Sequence, residues 1–200
     1  MNFLFHMLLS GADDQLLVGN FMGDFVKGRL DERFPFRIRQ GVMLHRRIDS
    51  FAGRDEHFRQ SRLRISADYG LYRAVLVDLF YDHFLAREWE QWSNQPFTRY
   101  LADSRIAVER HHRELPERMQ PLIPVIFDEL LPSYGEVNGI GSALERMSRR
   151  VTRPNPLAGG EAELVRHYDG LHEDFNAFIP GILKFTRQCV LDFDSLNVSV

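Results

Sequence analysis

Three apolar stretches of this chain carry acids, amides and imidazoles where a hydrophobic core would carry none. They are 16–26 with Asn20 and Asp24, 41–51 with His45 and Asp49, and 74–85 with Asp78, Asp82 and His83. A carboxylate withdrawn from water without a partner is strongly disfavoured or takes up a proton, so repeated buried acids imply shared counter-charge. A divalent cation is the simplest source of it.

Helical spacing fixes which of these groups can cooperate, because residues four apart on a helix face nearly the same way. Asn20 with Asp24, His45 with Asp49, and Asp78 with Asp82 are three such pairs on three expected helices. They converge if those helices pack around one pocket. Oxygen and imidazole ligands without cysteine suit Mn, Mg, Fe or Zn used in hydrolysis. On the third helix Ala74, Val75, Leu76, Val77, Leu79, Phe80, Phe84 and Leu85 leave hardly any polar side, which buries Asp78 and Asp82 by default. His83 points about 100° away from Asp82 and reads as an orienting group or general acid.

Plainer readings compete residue by residue. Asp24 can bind the N-terminus of another helix, and Asp49 can pair with Arg46, Arg47 or Arg54. His6, among Phe3, Leu4, Phe5, Met7 and Leu8, reads as a hydrogen-bonded core histidine ahead of a ligand. Arg46 and Arg47 follow His45 directly, so one can lean toward a bound phosphate, or both can form surface salt bridges.

The periodicity predicts an all-α fold in one compact domain over 1–200. Helices are expected at 2–10, from Asp13 or Asp14 to about Lys27, and from Pro35 to about Phe58. Further helices are expected at about 69–92, 97–112, 117–131 (distorted by Pro121 and Pro124) and 137–151. A loop spans 152–160, and a last helix near 161–188 should be kinked or broken by Pro180. The tail after Leu191 is ambiguous.

No apolar run approaches the length of a membrane span. The start lacks the features of a secretory signal, and the single Cys189 leaves neither an internal disulfide nor a multi-cysteine zinc site. A cytoplasmic protein is expected, without a membrane partner. There is no glycine-rich phosphate loop and no serine nucleophile elbow. A net charge of −3 and the lack of a reader motif argue against nucleic acid. The charge is uneven: residues 27–64 hold eleven Lys or Arg against five Asp or Glu, an excess of six positive charges that leaves −9 for the rest. Of the 25 cations all but Lys27 and Lys184 are arginine, whose planar fork pairs with phosphate in two places. The segment is therefore a candidate face for an anionic partner.

Several segments together resemble the acyl carrier protein phosphodiesterases, also called acyl carrier protein hydrolases. They are the start Met1-Asn2-Phe3-Leu4 with His6, Leu17, Gly19-Asn20, Asp24 to Gly28, His45-Arg46-Arg47-Ile48-Asp49, and Asp78 with Asp82 to Leu85. Agreement continues through Tyr134, 147–150 and His167-Tyr168-Asp169. That family looks like a divergent branch of the histidine-aspartate (HD) phosphohydrolases, which implies a distorted HD-like helical fold. His45-Arg46 stands here where the larger superfamily has adjacent His-Asp. Phe5 and Leu8 stand where a smaller residue and a second histidine are expected, which directs the metal site away from the first helix.

The resemblance implies hydrolysis of the phosphodiester that joins 4′-phosphopantetheine to serine in holo acyl carrier protein, with Mn²⁺ as the expected metal. In that scheme Asp24, His45, Asp78 and Asp82 are metal ligands or hold metal-bound water. Asp49 orients or deprotonates the water, His83 protonates the leaving serine oxygen, and Arg46 and Arg47 steady the phosphate. The carrier proteins are small and acidic, which suits the basic segment. Two alternatives stand beside this reading: an HD-like hydrolase of a nucleotide or other small phosphoester, and a carrier-binding protein without catalysis. Oligomeric state is not readable from the sequence.

Overall fold

The computed structural model describes residues 2–30 and 32–197, and no strand occurs among them. Met1, part of the matching start, and the last three residues of the tail lie outside it. The helices are α1 (Phe3–Leu8), α2 (Asp14–Phe21), α3 (Phe36–Arg54), α4 (Glu56–Arg64), α5 (Arg73–Arg87), α6 (Trp89–Trp92) and α7 (Phe97–Arg110). They continue with α8 (Ile123–Val125), α9 (Leu131–Ser133), α10 (Val137–Arg150), α11 (Glu161–Arg166) and α12 (Tyr168–Asn197). The all-α expectation is met. None of the described helices is long and apolar enough to cross a membrane.

Where the boundaries differ from expectation, a local cause is visible. The helix expected to run to Phe58 stops at Arg54, because Asp55 is extended (φ −68°, ψ 139°) and its carboxylate caps a new helix. Asp55 Oδ1 accepts from the amides of His57 at 2.8 Å and Phe58 at 3.1 Å, two donors that a helix start leaves unmatched. The second helix ends at Phe21, and a 3₁₀ turn, Gly23–Phe25, takes its place. Glu88 (φ −111°, ψ 25°) separates α5 from α6. Pro121 falls in the 3₁₀ turn before α8 and Pro124 within α8, and a π-turn, Ile126–Leu130, joins it to α9, the distortion expected there.

The last helix reverses the expectation. It breaks at His167 (φ −116°, ψ 20°) between α11 and α12, then runs through Pro180 to Asn197. One missing amide costs a helix about 3 kcal/mol. Phe175, Phe178, Ile179 and Ile182 around the proline are wholly buried, and their burial outweighs that loss. α12 lies across α3, α4 and α5, where the Phe175 and Phe178 rings pack edge-on or tilted against Phe5 and Tyr81.

α2 and α3 approach each other at a pair of glycines. A Cβ on Gly19 would lie 2.1 Å from the Ile38 carbonyl oxygen, and one on Gly41 would lie 2.4 Å from the Leu16 carbonyl oxygen. Backbone therefore touches backbone, and neither position admits a side chain. Gly53, near the end of α3, has nothing within 4 Å of its notional Cβ. Gly41→Ala should lower stability by about 2 kcal/mol or more, roughly 4–8 °C in Tm for a domain of this size. Gly53→Ala, relieved of glycine's helix penalty, should gain about 0.5–1 kcal/mol. Calorimetry of the two variants checks the contrast, and equal effects would contradict the close contact.

Candidate active site and metal-binding cluster

The site begins with the short helix α1, which carries His6 and has no side-chain cap of its own. Asp82 of α5 caps it from across the fold. Its Oδ2 accepts from the Leu4 amide and its Oδ1 from the Phe5 amide, both at 3.0 Å. A carboxylate at a helix N-terminus satisfies orphan donors and meets the positive end of the helix dipole. Burial pushes the Asp82 carboxyl up to about 7, with the two amides pulling the other way.

Asn20, near the end of α2, then fixes two imidazoles. Its Nδ2 donates to the His6 carbonyl at 2.6 Å and to Ser10 Oγ at 2.9 Å. A carbonyl can only accept, so the amide has one orientation and its Oδ1 must face His6 Nδ1, 2.7 Å away. His6 Nδ1 therefore carries a proton, leaving Nε2 as a lone pair. The same logic holds for His45 of α3, whose Nδ1 lies 2.8 Å from the Asn20 carbonyl oxygen and must donate to it. The rings stack with centroids 3.8 Å apart and planes 15° from parallel, so both Nε2 atoms enter the same space.

Carboxylates meet them there. His6 Nε2 is 3.3 Å from Asp49 Oδ1, while His45 Nε2 is 3.2 Å from Asp49 Oδ2 and 3.6 Å from Asp24 Oδ1. His6 Nε2 is enclosed from solvent, with the Asp49 carboxylate facing it. Lone pairs pointing at carboxylate oxygens repel unless a proton or a metal stands between them. His6, His45 and Asp49 thus form a triad compatible with a divalent metal, with ligand atoms within 4.8 Å of one another. Asp24 reaches His45 because its 3₁₀ turn passes directly over the ring. A Cβ on Gly23 would come within 2.2 Å of His45 Cγ.

The charges reflect one proton shared within the cluster. Burial disfavours the His45 imidazolium, but the hydrogen bonds and charges of Asp24 and Asp49 win and raise it to about 9. His6 is lowered to about 4 by burial and then by the His45 charge. Burial would raise Asp49, yet its hydrogen bonds with His45 and His6 hold it well below the usual carboxylate range. Asp24 is lowered as well, with the His45 hydrogen bond overcoming its burial.

Beside the cluster lies a cavity of about 320 Å³, whose lining includes Asp24, Asp49, Asp78 and Arg62. Burial raises the Asp78 carboxyl, and the negative charges of Asp49 and Asp24 add to the effect. Of the residues singled out from sequence, the structure brings together Asp24, His45, Asp49 and Asp78. It places four others elsewhere, the first being Asp82, expected as a metal ligand, whose two oxygens are taken by the α1 amides. His83 Nδ1 bonds the Tyr134 carbonyl at 2.9 Å and its Nε2 meets the Tyr168 hydroxyl at 3.2 Å. Arg46 donates from Nη2 to the carbonyls of Val26 and Gly28, and Arg47 lies over the Phe193 ring, its Cζ 4.8 Å from the centroid. Sequence reasoning ranked His6 first as a hydrogen-bonded core histidine, which it is, and did not place it beside His45 and Asp49, although Ser10 and Asn20 were the polar residues that could have announced the cluster. It also missed Arg62.

The shared proton gives the metal-free protein a pH signature. A histidine raised from 6.5 to about 9 on folding adds stability that is complete below pH 6.5 and is lost as pH rises through 9. Asp24 and Asp49, held low, add stability that is present above the ordinary carboxylate range and is lost as pH falls. Chelator-treated wild type should therefore melt several degrees lower at about pH 10 than at pH 7. His45→Gln should flatten that difference. A wild-type midpoint equal at the two pH values would contradict the arrangement.

Comparison with known proteins gives this geometry a context. A family model for acyl carrier protein phosphodiesterase matches residues 1–182. The proteins of that name from Yersinia pestis (32% identical over 92% of this chain and 96% of the relative) and Pectobacterium atrosepticum (30%, 94% and 98%) align nearly end to end. So does that of Escherichia coli O6:H1 (31%, 92% and 96%). No solved structure matches. The chain belongs to the acyl carrier protein phosphodiesterase family.

Proposed function

We propose that this protein hydrolyses the phosphodiester between 4′-phosphopantetheine and the serine of holo acyl carrier protein, giving apo carrier protein and 4′-phosphopantetheine. The observation that carries the reading is the convergence of His6 Nε2, His45 Nε2 and the carboxylates of Asp49 and Asp24 at the rim of a cavity, in a member of this family. His6, His45 and Asp49 would hold the metal, for which Mn²⁺ is the first choice, with Asp24 beside them. Bound there, a divalent cation supplies Lewis acidity toward the phosphoryl oxygens and lowers the pKa of water.

The remaining steps fall to the side chains. Asp24, half exposed next to His45, accepts the proton of the attacking water. Asp78, whose carboxyl is raised within the cavity, returns a proton to the serine oxygen as the phosphorus–oxygen bond breaks. Asp82 serves by holding α1, and so His6, in place. α3 and α4 form one wall of the cavity and expose Arg46, Arg47, Arg54 and Arg59, a surface suited to an acidic carrier. A cytoplasmic setting goes with this reading, in keeping with the buried, unpaired Cys189.

Mass spectrometry of holo carrier protein incubated with metal-stripped protein, with and without Mn²⁺, tests the function. Loss of the phosphopantetheine mass only with metal is expected. An unchanged carrier with verified metal loading would redirect the reading to a small phosphoester or to carrier binding without catalysis. Asp24→Ala and Asp78→Ala should each cut turnover by at least about 100-fold with the helical circular dichroism spectrum retained. Full activity in either variant would remove that residue from the mechanism.

A further inference from the structure

Arg62 is unusual among the arginines of this protein. Arg37, Arg64, Arg105, Arg110 and Arg146 each close an ion pair across the fold. Arg62 lines the same cavity as three carboxylates, yet forms no ion pair with any of them among the described residues, and its Nε is enclosed without a partner. Arg39 also has an unpaired Nε, but its guanidinium lies over the exposed ring of Phe36 and lines no cavity described for the chain. An enclosed donor left unmatched is costly and calls for an acceptor.

The cavity states what that acceptor must be. Asp24 and Asp49 repel an anion, so a phosphodiester entering beside them needs protein cation as well as metal. Among the described lining residues Arg62 is the arginine, and the guanidinium fork matches two oxygens of a tetrahedral phosphate. Phe58 lies one helical turn before Arg62 on α4 and lines the cavity too, continuing into Ala52, Ala74, Val75 and Met147. A space of about 320 Å³ admits one flexible arm and excludes a folded protein.

Resting on the function proposed above, we infer that Arg62 binds the non-bridging oxygens of the substrate phosphate, and that the apolar wall seats the pantetheine side of the diester. The carrier then stays outside, and its serine oxygen leaves toward the mouth. Arg62 is a substrate-binding residue in this arrangement. Arg46 and Arg47 are left to the surface around that mouth.

Calorimetric titration of the metal-loaded protein with 4′-phosphopantetheine and with pantetheine isolates the phosphate. Wild type should bind the phosphorylated ligand at least about tenfold more tightly. Arg62→Gln should shrink that ratio by about tenfold or more and leave the pantetheine Kd unchanged, with Arg62→Lys in between. Should Arg62→Gln fail to fold, the ratio for Arg62→Lys decides. A ratio untouched by substitution, or no phosphate preference in wild type, overturns the assignment. Cleavage of holo carrier protein by wild type is scored separately by mass spectrometry. A protein that cleaves the carrier with an Arg62-independent ratio refutes only Arg62, and one with an Arg62-dependent ratio but no cleavage refutes only the proposed reaction.

Discussion

The site depends on the backbone contact between α2 and α3. With hydrogen at both Gly19 and Gly41, the helices approach closer than side chains allow, and the residue after Gly19 comes within reach of α3. That residue is Asn20, and its carbonyl then lies 2.8 Å from His45 Nδ1 while its side chain reaches His6 at 2.7 Å. Parting the helices by the 1–2 Å that a methyl group demands would lengthen the first bond beyond hydrogen-bond range. Gly23 repeats the principle on the other side of the ring, where the turn bearing Asp24 passes over His45 with no room for a Cβ.

Three acids solve one electrostatic problem in three ways. Asp174 is met by Ser61 and by two nitrogens of Arg64, so its oxygens are satisfied by side-chain donors. Asp82 is met by two backbone amides at a helix N-terminus. Both arrangements are closed, because hard donors with nothing else to bind face the carboxylate. Asp49 is different: its partners are imidazole nitrogens whose other ring nitrogen already carries a proton donated elsewhere. Each of those nitrogens is a donor or a lone pair according to one mobile proton, an arrangement compatible with a metal in the proton's place.

Helical spacing made much of this legible, and its limits are physical. His45 and Asp49 do meet from one helix, Nε2 to Oδ2 at 3.2 Å. Asn20 and Asp24 are also neighbours of that pair, but Asp24 arrives on a 3₁₀ turn after α2 has ended. Asp78 and Asp82 share α5 and diverge, one into the cavity and the other onto α1. Four residues advance a helix about 40° past a full turn and one turn along the axis, enough to meet different neighbours. Pairings such as Leu4 with Asp82, 78 positions apart, leave no local trace. Arg62 was hidden for another reason. The break at Asp55 sets the direction of α4, and the sequence reads there as one continuous helix.

Asn20, rather than any of the acids, orients the two histidines. All three of its hydrogen-bonding groups that face the cluster are in use: the carbonyl for His45, Oδ1 for His6 Nδ1, and Nδ2 for the His6 carbonyl and Ser10. An aspartate at this position would set a carboxylate against the His6 carbonyl and favour a second proton on His6, occupying the Nε2 lone pair. A glutamine carries the right groups one methylene too far out for a space that is wholly buried. The side-chain amide thus fixes the His6 tautomer while the backbone carbonyl of the same residue fixes that of His45, and the two Nε2 atoms are left facing the carboxylates.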